Sequence, residues 1–140
     1  MKYLLDTHIW HRAINDTLRA ERPLSAAVTK IFADEPDALA LCDVSLLELA
    51  RHMANAGDSE TVCTANMERG CAPLRVLPIT PAIAVRSYLL DWPKKGSGEQ
   101  HCDPADRLIV ATAMLKGLVL VTEDAEMHRR APRWRLPILK

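Results

Sequence analysis

Short apolar runs alternate with longer amphipathic segments along the whole chain, and this alternation constrains the fold most strongly. The apolar runs are residues 3–5, 38–41, 74–77, 118–121 and 136–139. Between them, apolar residues recur at helical spacing in segments 46–53, 83–90 and 108–115, the last ended by Gly117. Strand–helix alternation favours right-handed crossovers and a mostly parallel sheet covered by helices. Because Pro137 cannot donate a backbone hydrogen bond, the last run is placed at a sheet edge.

The length and charge of the chain narrow the possible classes of protein further. A chain of 140 residues without a linker or repeat predicts one domain over residues 1–140. The 18 basic and 18 acidic residues cancel, which argues against a basic coat that wraps nucleic acid but leaves a local patch of either sign open. No apolar run approaches the roughly 20 residues that span a bilayer, and Asp6 interrupts the N-terminus too early for a secretory signal. We therefore expect a cytoplasmic protein without membrane contact.

Acidic residues follow the predicted strands where each strand ends. Asp6 comes directly after the first strand, and Asp124 follows the fourth. Ligands of open parallel sheets bind beyond the carboxyl ends of the strands, so these side chains should converge. Glu48 is predicted in the first turn of the helix after the second strand, and Asp103 and Asp106 open the apolar helix before the fourth. Four or five carboxylates from four chain segments are thus expected at one edge of the sheet.

Helix capping is an alternative explanation for several of these acids. Asp103 precedes Pro104, the pattern of an N-cap followed by proline at the first helical position, and we favour the cap over a ligand there. Ser45 and Glu48 match a capping box, which leaves capping and function equally open for Glu48. Asp106 lies beyond the cap position, so capping explains it less well.

Crowding of carboxylates has a chemical consequence of its own. Like charges repel and raise one another's pKa, so such a cluster needs a cation. Oxygen ligands suit Mg²⁺ or Mn²⁺ rather than zinc. Such an ion neutralises charge on a phosphate and activates a bound water as a nucleophile. The cluster therefore predicts metal-dependent hydrolysis of phosphodiesters.

Four segments together resemble a known family. They are Leu-Leu-Asp-Thr-His at 4–8, Ser-Leu-Leu-Glu at 45–48, His-Cys-Asp-Pro-Ala-Asp-Arg-Leu-Ile-Val-Ala at 101–111 and Val-Thr-Glu-Asp at 121–124. In this order they resemble PIN-domain proteins, specifically the VapC-like toxin ribonucleases of type II toxin–antitoxin systems, over essentially the whole chain. The resemblance implies an α/β fold, a three-layer α/β/α sandwich around a five-stranded, mostly parallel sheet.

The same resemblance implies an RNA-cleaving site. Its four catalytic acids would be Asp6, Glu48, Asp106 and Asp124, and Mg²⁺ or Mn²⁺ would be held by Asp6, Asp106 and Asp124. Thr7 and Thr122 match hydroxyl residues that would bond a metal-bound water or a phosphate. Asp103 is an additional acid of one branch of the family. Arg107 would either pair with Asp103 or Asp124, which we favour slightly, or contact the scissile phosphate.

Partners and alternative functions complete these expectations. The resemblance implies a homodimer and a VapB-like antitoxin, through which operator DNA is bound. Six basic residues are candidates for RNA phosphate contacts, with a solvated basic face equally open: Lys94, Lys95, Arg129, Arg130, Arg133 and Arg135. A catalytically silent PIN-like binding module is one alternative. A receiver-like signalling domain is less favoured, because the third strand runs into Pro78-Ile79-Thr80 and not into a phosphoacceptor aspartate.

Overall fold

The computed structural model describes residues 1–92 and 103–140. Lys94 and Lys95, two of the six candidate RNA contacts, and the first two residues of the third motif, His101 and Cys102, lie outside these ranges. The described strands are β1 (Tyr3–Leu5), β2 (Leu39–Cys42), β3 (Arg75–Leu77), β4 (Val119–Val121) and β5 (Ile138–Leu139). They form one sheet in the order β3-β2-β1-β4-β5, and every neighbouring pair is parallel. The predicted sheet is confirmed.

Helices connect the strands, and capping residues lie at several of their ends. They are α1 (Thr7–Ile14), α2 (Asp16–Glu21), α3 (Ala26–Asp34), α4 (Val44–Asn55), α5 (Glu60–Cys71), α6 (Pro81–Tyr88), α7 (Pro104–Lys116) and α8 (Ala125–Trp134), with a short 3₁₀ helix at Pro36–Ala38. The side chains of Ser25, Ser59 and Thr80 cap α3, α5 and α6 by accepting backbone N–H bonds. Gly117 ends α7 in the left-handed conformation, as predicted.

The two faces of the sheet pack against different helices. Alternate strand residues point to opposite faces, so each strand contributes to two cores. One core joins Leu4, Ala40 and Leu120 to Ile109 and Val110 of α7 and to Met127 of α8. The other joins Tyr3, Leu5, Leu41 and Val121 to Ile9 of α1, Val28 of α3 and Leu49 of α4. The architecture is therefore the three-layer α/β/α sandwich that the resemblance implied.

Strand register brings the first and fourth strand ends together. Leu5 of β1 is paired with Leu41 of β2 and with Val121 of β4, and the Asp6 amide donates to the Val121 carbonyl at 2.9 Å. The chain builds the sheet from β1 outward to β3 and then returns to the other side of β1 with β4. Such a reversal of strand order opens a crevice at the carboxyl ends of the strands, where ligands of α/β proteins bind.

Among the helices within residues 1–92 and 103–140, none combines the length and the apolar character that a membrane span requires.

Candidate active site

A cleft of about 350 Å³ lies at the carboxyl end of β1 and β4. Four of the predicted acids line it together: Asp6, Glu48, Asp106 and Asp124. They reach it from the end of β1, from α4, from the first turn of α7 and from the start of α8. The structure thus brings together the acids that are far apart in the sequence.

Asp6 is the most completely fixed of these acids, with 4% of its surface exposed. Its Oδ1 accepts the Thr7 amide at 2.7 Å, and its Oδ2 accepts the Thr122 hydroxyl at 2.5 Å. His8 Nδ1 lies 3.2 Å from the same Oδ2, while His8 Nε2 accepts the Glu123 amide at 3.2 Å. Because Nε2 accepts that amide, the proton of a neutral His8 is on Nδ1, the ring nitrogen beside Asp6. Each oxygen of Asp6 therefore accepts one hydrogen bond, and His8 lies at ion-pair distance from Oδ2.

The Thr7 side chain holds Glu48, whereas the Thr122 side chain holds Asp6. The Thr7 hydroxyl donates to Glu48 Oε1 at 2.5 Å, and Thr7 Oγ1 lies 2.9 Å from the buried Ser45 Oγ. The predicted capping box of Ser45 and Glu48 is wrong, because α4 already begins at Val44 with Asp43 as its N-cap residue. Glu48 consequently lies in the second turn of α4, not in the first, and its carboxylate is available to the cleft.

Thr122 connects the first and the fourth acid. Its hydroxyl is fully buried, donates to Asp6 and accepts the Asp124 amide at 3.1 Å. Asp124 in turn caps α8 through its side chain. Both hydroxyl protons are donated to carboxylates, so these two threonines position the acids. That Thr7 and Thr122 bond a metal-bound water or a phosphate stays a prediction.

Two acids of the cleft, Asp106 and Glu48, have raised pKa values. Burial, followed by the charges of the four neighbouring carboxylates, raises the pKa of Asp106 to about 8. Burial also raises the pKa of Glu48, with a smaller opposing effect from the hydrogen bond that Thr7 donates. A protonated aspartic acid near neutral pH is the expected response of a carboxylate cluster without a counter-cation. The site therefore has the electrostatics of a cation-binding site.

Asp103 has the capping role that we favoured. It is exposed and is the N-cap residue of α7, where its Oδ1 accepts the Ala105 amide at 3.0 Å and Pro104 is the first helical residue. Its charge still contributes to the raised pKa of Asp106 and of Glu48.

Arg107 faces away from the carboxylates. It is 7% exposed, and its guanidinium donates at 2.7–3.1 Å to the carbonyl oxygens of Ser87, Tyr88 and Leu90. Among the described residues it pairs with neither Asp103 nor Asp124, so the pairing that we favoured is wrong. The C-terminal end of α6 presents unpaired carbonyl oxygens, and these are the groups that the guanidinium satisfies.

Replacement of Arg107 by alanine should lower stability without altering the carboxylates. At least three charge-assisted hydrogen bonds would be lost, and the Ser87 and Tyr88 carbonyl oxygens would lose the guanidinium as donor, whereas the Leu90 carbonyl still accepts the Trp92 amide. We expect the free energy of unfolding to fall by about 2–3 kcal/mol. Urea denaturation measures the change, and Arg86→Ala, at an exposed position on α6, is the matched control. Equal effects of the two substitutions would contradict the structural role.

Sequence reasoning missed an arginine–glutamate pair in the cleft. Arg12 Nη1 and Nη2 donate to the two carboxylate oxygens of Glu123, each at 2.7 Å, across a separation of 111 residues. Arg22 Nη2 lies 3.4 Å from Glu123 Oε2. The position of Glu123 directly before Asp124 was visible in the sequence, but no local pattern indicated its partners.

Two histidines line the same cleft one helical turn from the Thr7–Glu48 hydrogen bond. The ring centroids of His11 and His52 are 5.6 Å apart and the rings are inclined by 33°. Burial, followed by the neighbouring His52, lowers the pKa of His11. This wall of the cleft therefore carries an uncharged imidazole at neutral pH.

The donor set suits a hard divalent cation. Within the two described ranges, no three His, Cys, Asp or Glu side chains are arranged to hold a metal ion by themselves. Mg²⁺ does not require such a closed set, because it usually retains several waters and binds one or two carboxylates together with substrate phosphate. Asp6, Asp106 and Asp124 supply the carboxylate oxygens that Mg²⁺ or Mn²⁺ prefers.

Solved structures share this fold over nearly their full length. The complex VapBC2 from Rickettsia felis, bound to a DNA fragment from its promoter, is 18% identical, with a TM-score of 0.73 over 99% of this chain and 98% of that chain. FitAcB from Neisseria gonorrhoeae is 19% identical, with a TM-score of 0.70 over 99% and 96%. DNA-bound VapBC from Salmonella typhimurium is 21% identical, with a TM-score of 0.66 over 99% and 97%.

Comparison with curated proteins finds no match. A sequence model of a protein family does match, over residues 3–132, and its description is PIN domain. This range includes all four acids of the cleft. The chain belongs to the PIN domain family.

Proposed function

We propose that the protein is an Mg²⁺- or Mn²⁺-dependent endoribonuclease and the VapC-like toxin of a type II toxin–antitoxin pair. The observation that carries the proposal is the cleft in which four carboxylates from separate chain segments meet, with the pKa of Asp106 raised to about 8. Such a site is built to receive a cation and, with it, a phosphate. Membership in the PIN domain family supports the same function.

In this reaction some residues of the chain would bind the metal ion, and others orient those ligands. Asp6, Asp106 and Asp124 would hold the ion, which when bound neutralises phosphate charge and activates water for attack on the phosphodiester. The Thr122 hydroxyl and the Thr7 amide orient Asp6 by donating to its Oδ2 and Oδ1. These contacts fix the first acid before the substrate arrives, and such preorganisation is worth an order of magnitude or more in metal affinity or activity.

Glu48 has a separate role in the proposal. Its pKa is raised by burial and by neighbouring acids, while the Thr7 hydroxyl fixes one of its oxygens. A general base works best when its pKa approaches the working pH. We assign to Glu48 the acceptance of the proton that the attacking water loses.

An apolar groove beside Glu48 supports an antitoxin partner. The groove lies between α4 and the start of α7, and Leu47 on its wall is 72% exposed. The carboxylates of Glu48 and Asp103 lie in the same groove. We propose that a VapB-like antitoxin covers this surface and binds the operator DNA. Several structures that share the fold are toxin–antitoxin complexes, two of them with DNA.

A second apolar surface supports a homodimer. Val85, Tyr88 and Leu89 of the α6 region are 60%, 84% and 74% exposed, and Leu115 of α7 lies beside them in one shallow depression with Val85 and Leu89. Contiguous exposed apolar side chains mark interaction sites more often than isolated ones do. We propose that two copies associate here in the cytoplasm.

Metal dependence is the direct test of the proposed function. The purified protein, freed from any copurifying antitoxin, should cleave single-stranded RNA in Mg²⁺ or Mn²⁺. Cleavage should stop in EDTA and return when the divalent ion is restored in excess. The measurement is the rate of product formation on a gel, with DNA of the same sequence as a control for the sugar. Equal cleavage in EDTA would contradict the four-acid mechanism. Intact RNA in every metal would favour the silent binding module.

A further inference from the structure

Two arginines line the same cleft as the four carboxylates. Arg12 lies on α1, and Arg22 is the residue at which α2 ends. Neither belongs to the acid set on which the proposed function depends. They are also distinct from the six basic residues predicted to contact RNA. Arg129 and Arg130 of that set instead pair with Glu126 on their own helix.

Arg12 and Glu123 form a closed pair. Arg12 is 5% exposed, and both oxygens of Glu123 accept from its guanidinium at 2.7 Å. Bidentate pairs of this kind are the strongest and the most rigid charge-assisted contacts in proteins. Both oxygens of Glu123 are therefore engaged by Arg12, and Arg22 adds only a longer contact to one of them.

Arg22 is a second guanidinium beside Glu123, whose two oxygens already accept from Arg12. Its side chain is 73% exposed, and its 3.4 Å distance to Glu123 exceeds that of an ordinary N–H···O bond. Among the described residues Glu123 is its only ion-pair partner, since Glu21 on the same rim makes no ion pair with it. Arg22 is consequently an exposed guanidinium on this rim of the cleft, with one contact of 3.4 Å to Glu123.

The rim of the cleft formed by Arg12 and Arg22 is connected to the carboxylates through Glu123 and His8. Glu123 directly precedes Asp124, and His8 joins the Glu123 amide to Asp6 Oδ2. An RNA strand whose scissile phosphate lies at the carboxylates must place its next phosphate close by. The exposed charge of Arg22 is available to it, whereas the carboxylate side of the cleft would repel it.

We propose that Arg22 binds the RNA phosphate adjacent to the scissile one. In this arrangement Arg12 is a positioning residue, because its guanidinium engages both oxygens of Glu123 and leaves Arg22 only the 3.4 Å contact to that carboxylate. This inference rests on the proposed ribonuclease function and adds to it a subsite for the RNA backbone. Contacts to the backbone position a nucleic acid without reading its sequence.

Salt dependence of cleavage tests the subsite. Each phosphate contact to a single strand contributes about 0.7 to the slope of log affinity against log salt. Arg22→Ala should therefore raise KM several-fold, leave kcat within about twofold and reduce the slope of log kcat/KM against log[KCl] by about 0.7. Arg22→Lys should restore the slope. Arg19→Ala is the matched control, because Arg19 lies on the same helix, pairs with Asp16 and does not line the cleft.

A second readout separates the possible failures. Mn²⁺ affinity, measured by calorimetry, should be the same in Arg22→Ala and in the wild type, since Arg22 is not among the proposed metal ligands. A wild-type KM and salt slope in Arg22→Ala would overturn the subsite and leave the ribonuclease function standing. A wild-type protein that does not cleave RNA in Mg²⁺ or Mn²⁺ would overturn both.

Discussion

Asp6→Asn should reduce RNA cleavage more than about 100-fold. Loss of an outer-shell partner of a metal ligand typically costs about 10–100-fold, and loss of the carboxylate itself should exceed this. Asp6 is also the most buried of the four acids and accepts a hydrogen bond on each oxygen, so the variant removes a proposed ligand and disturbs its contacts at the same time. Cleavage rates under single-turnover conditions measure the effect.

The hydrogen-bond pattern explains why asparagine is a poor replacement there. Oδ2 of Asp6 accepts the Thr122 hydroxyl and lies 3.2 Å from His8 Nδ1, whereas the amide nitrogen of asparagine is a donor. If asparagine keeps its oxygen toward the Thr7 amide, its NH₂ group meets the Thr122 hydroxyl, which then has no acceptor at the former Oδ2 position. The orientation of the side chain in the cleft should therefore change together with its charge.

Two further variants separate chemistry from folding. Thr122→Val keeps the carboxylate but removes its 2.5 Å hydrogen bond, and we expect an intermediate loss of about 10–100-fold. Asp16→Asn, on the exposed side of α2, should leave cleavage unchanged. Circular dichroism and thermal unfolding confirm that each variant is folded. Substantial cleavage by a folded Asp6→Asn protein would remove Asp6 from the catalytic set.

Asp106→Asn should stabilise the metal-free protein while it abolishes cleavage. The ordinary pKa of 3.8 is raised to about 8 in the folded chain, so the ionised form is disfavoured by folding. Between these values the unfolded state has released a proton that the folded state retains. Stability should therefore fall as pH rises from about 4 to about 8 and stay low above it. At 1.36 kcal/mol per pKa unit, the loss amounts to roughly 4 kcal/mol by neutral pH.

Urea denaturation in EDTA at several pH values measures this loss. The wild type should lose stability from pH 5 to pH 8, and Asp106→Asn should be more stable and lose less over that range, the remainder coming in part from Glu48, whose pKa is also raised. Asp58→Asn, at an exposed position between α4 and α5, is the matched control and should retain the wild-type slope. Addition of Mn²⁺ should stabilise the wild type much more than Asp106→Asn. The same pH slope in both proteins would show that Asp106 ionises normally.

Local sequence patterns predicted most of the scaffold. The five strands occur within one or two residues of their predicted positions, because buried strands of a parallel sheet are continuous apolar runs. Asp103, Pro104 and Gly117 mark the ends of α7 correctly, since caps depend on neighbouring residues only. The helical segments predicted from apolar periodicity correspond to α4, α6 and α7 only, and in α5, for example, exposed polar residues obscure the periodicity that signals a helix.

The sequence by itself determined that Asp6 and Asp124 meet, because a carboxylate directly after an apolar strand lies at the strand's carboxyl end, and the family resemblance carried by its motifs implied Glu48 and Asp106 as well. Only the tertiary structure decided what holds each acid. Thr7 reaches Glu48 across 41 residues, Thr122 reaches Asp6 across 116, and Arg12 reaches Glu123 across 111. The position of an acid follows from strand order, which local hydrophobicity encodes. The partner of a side chain depends on sheet register and on how helices pack across the sheet, and no short segment of the chain contains that information.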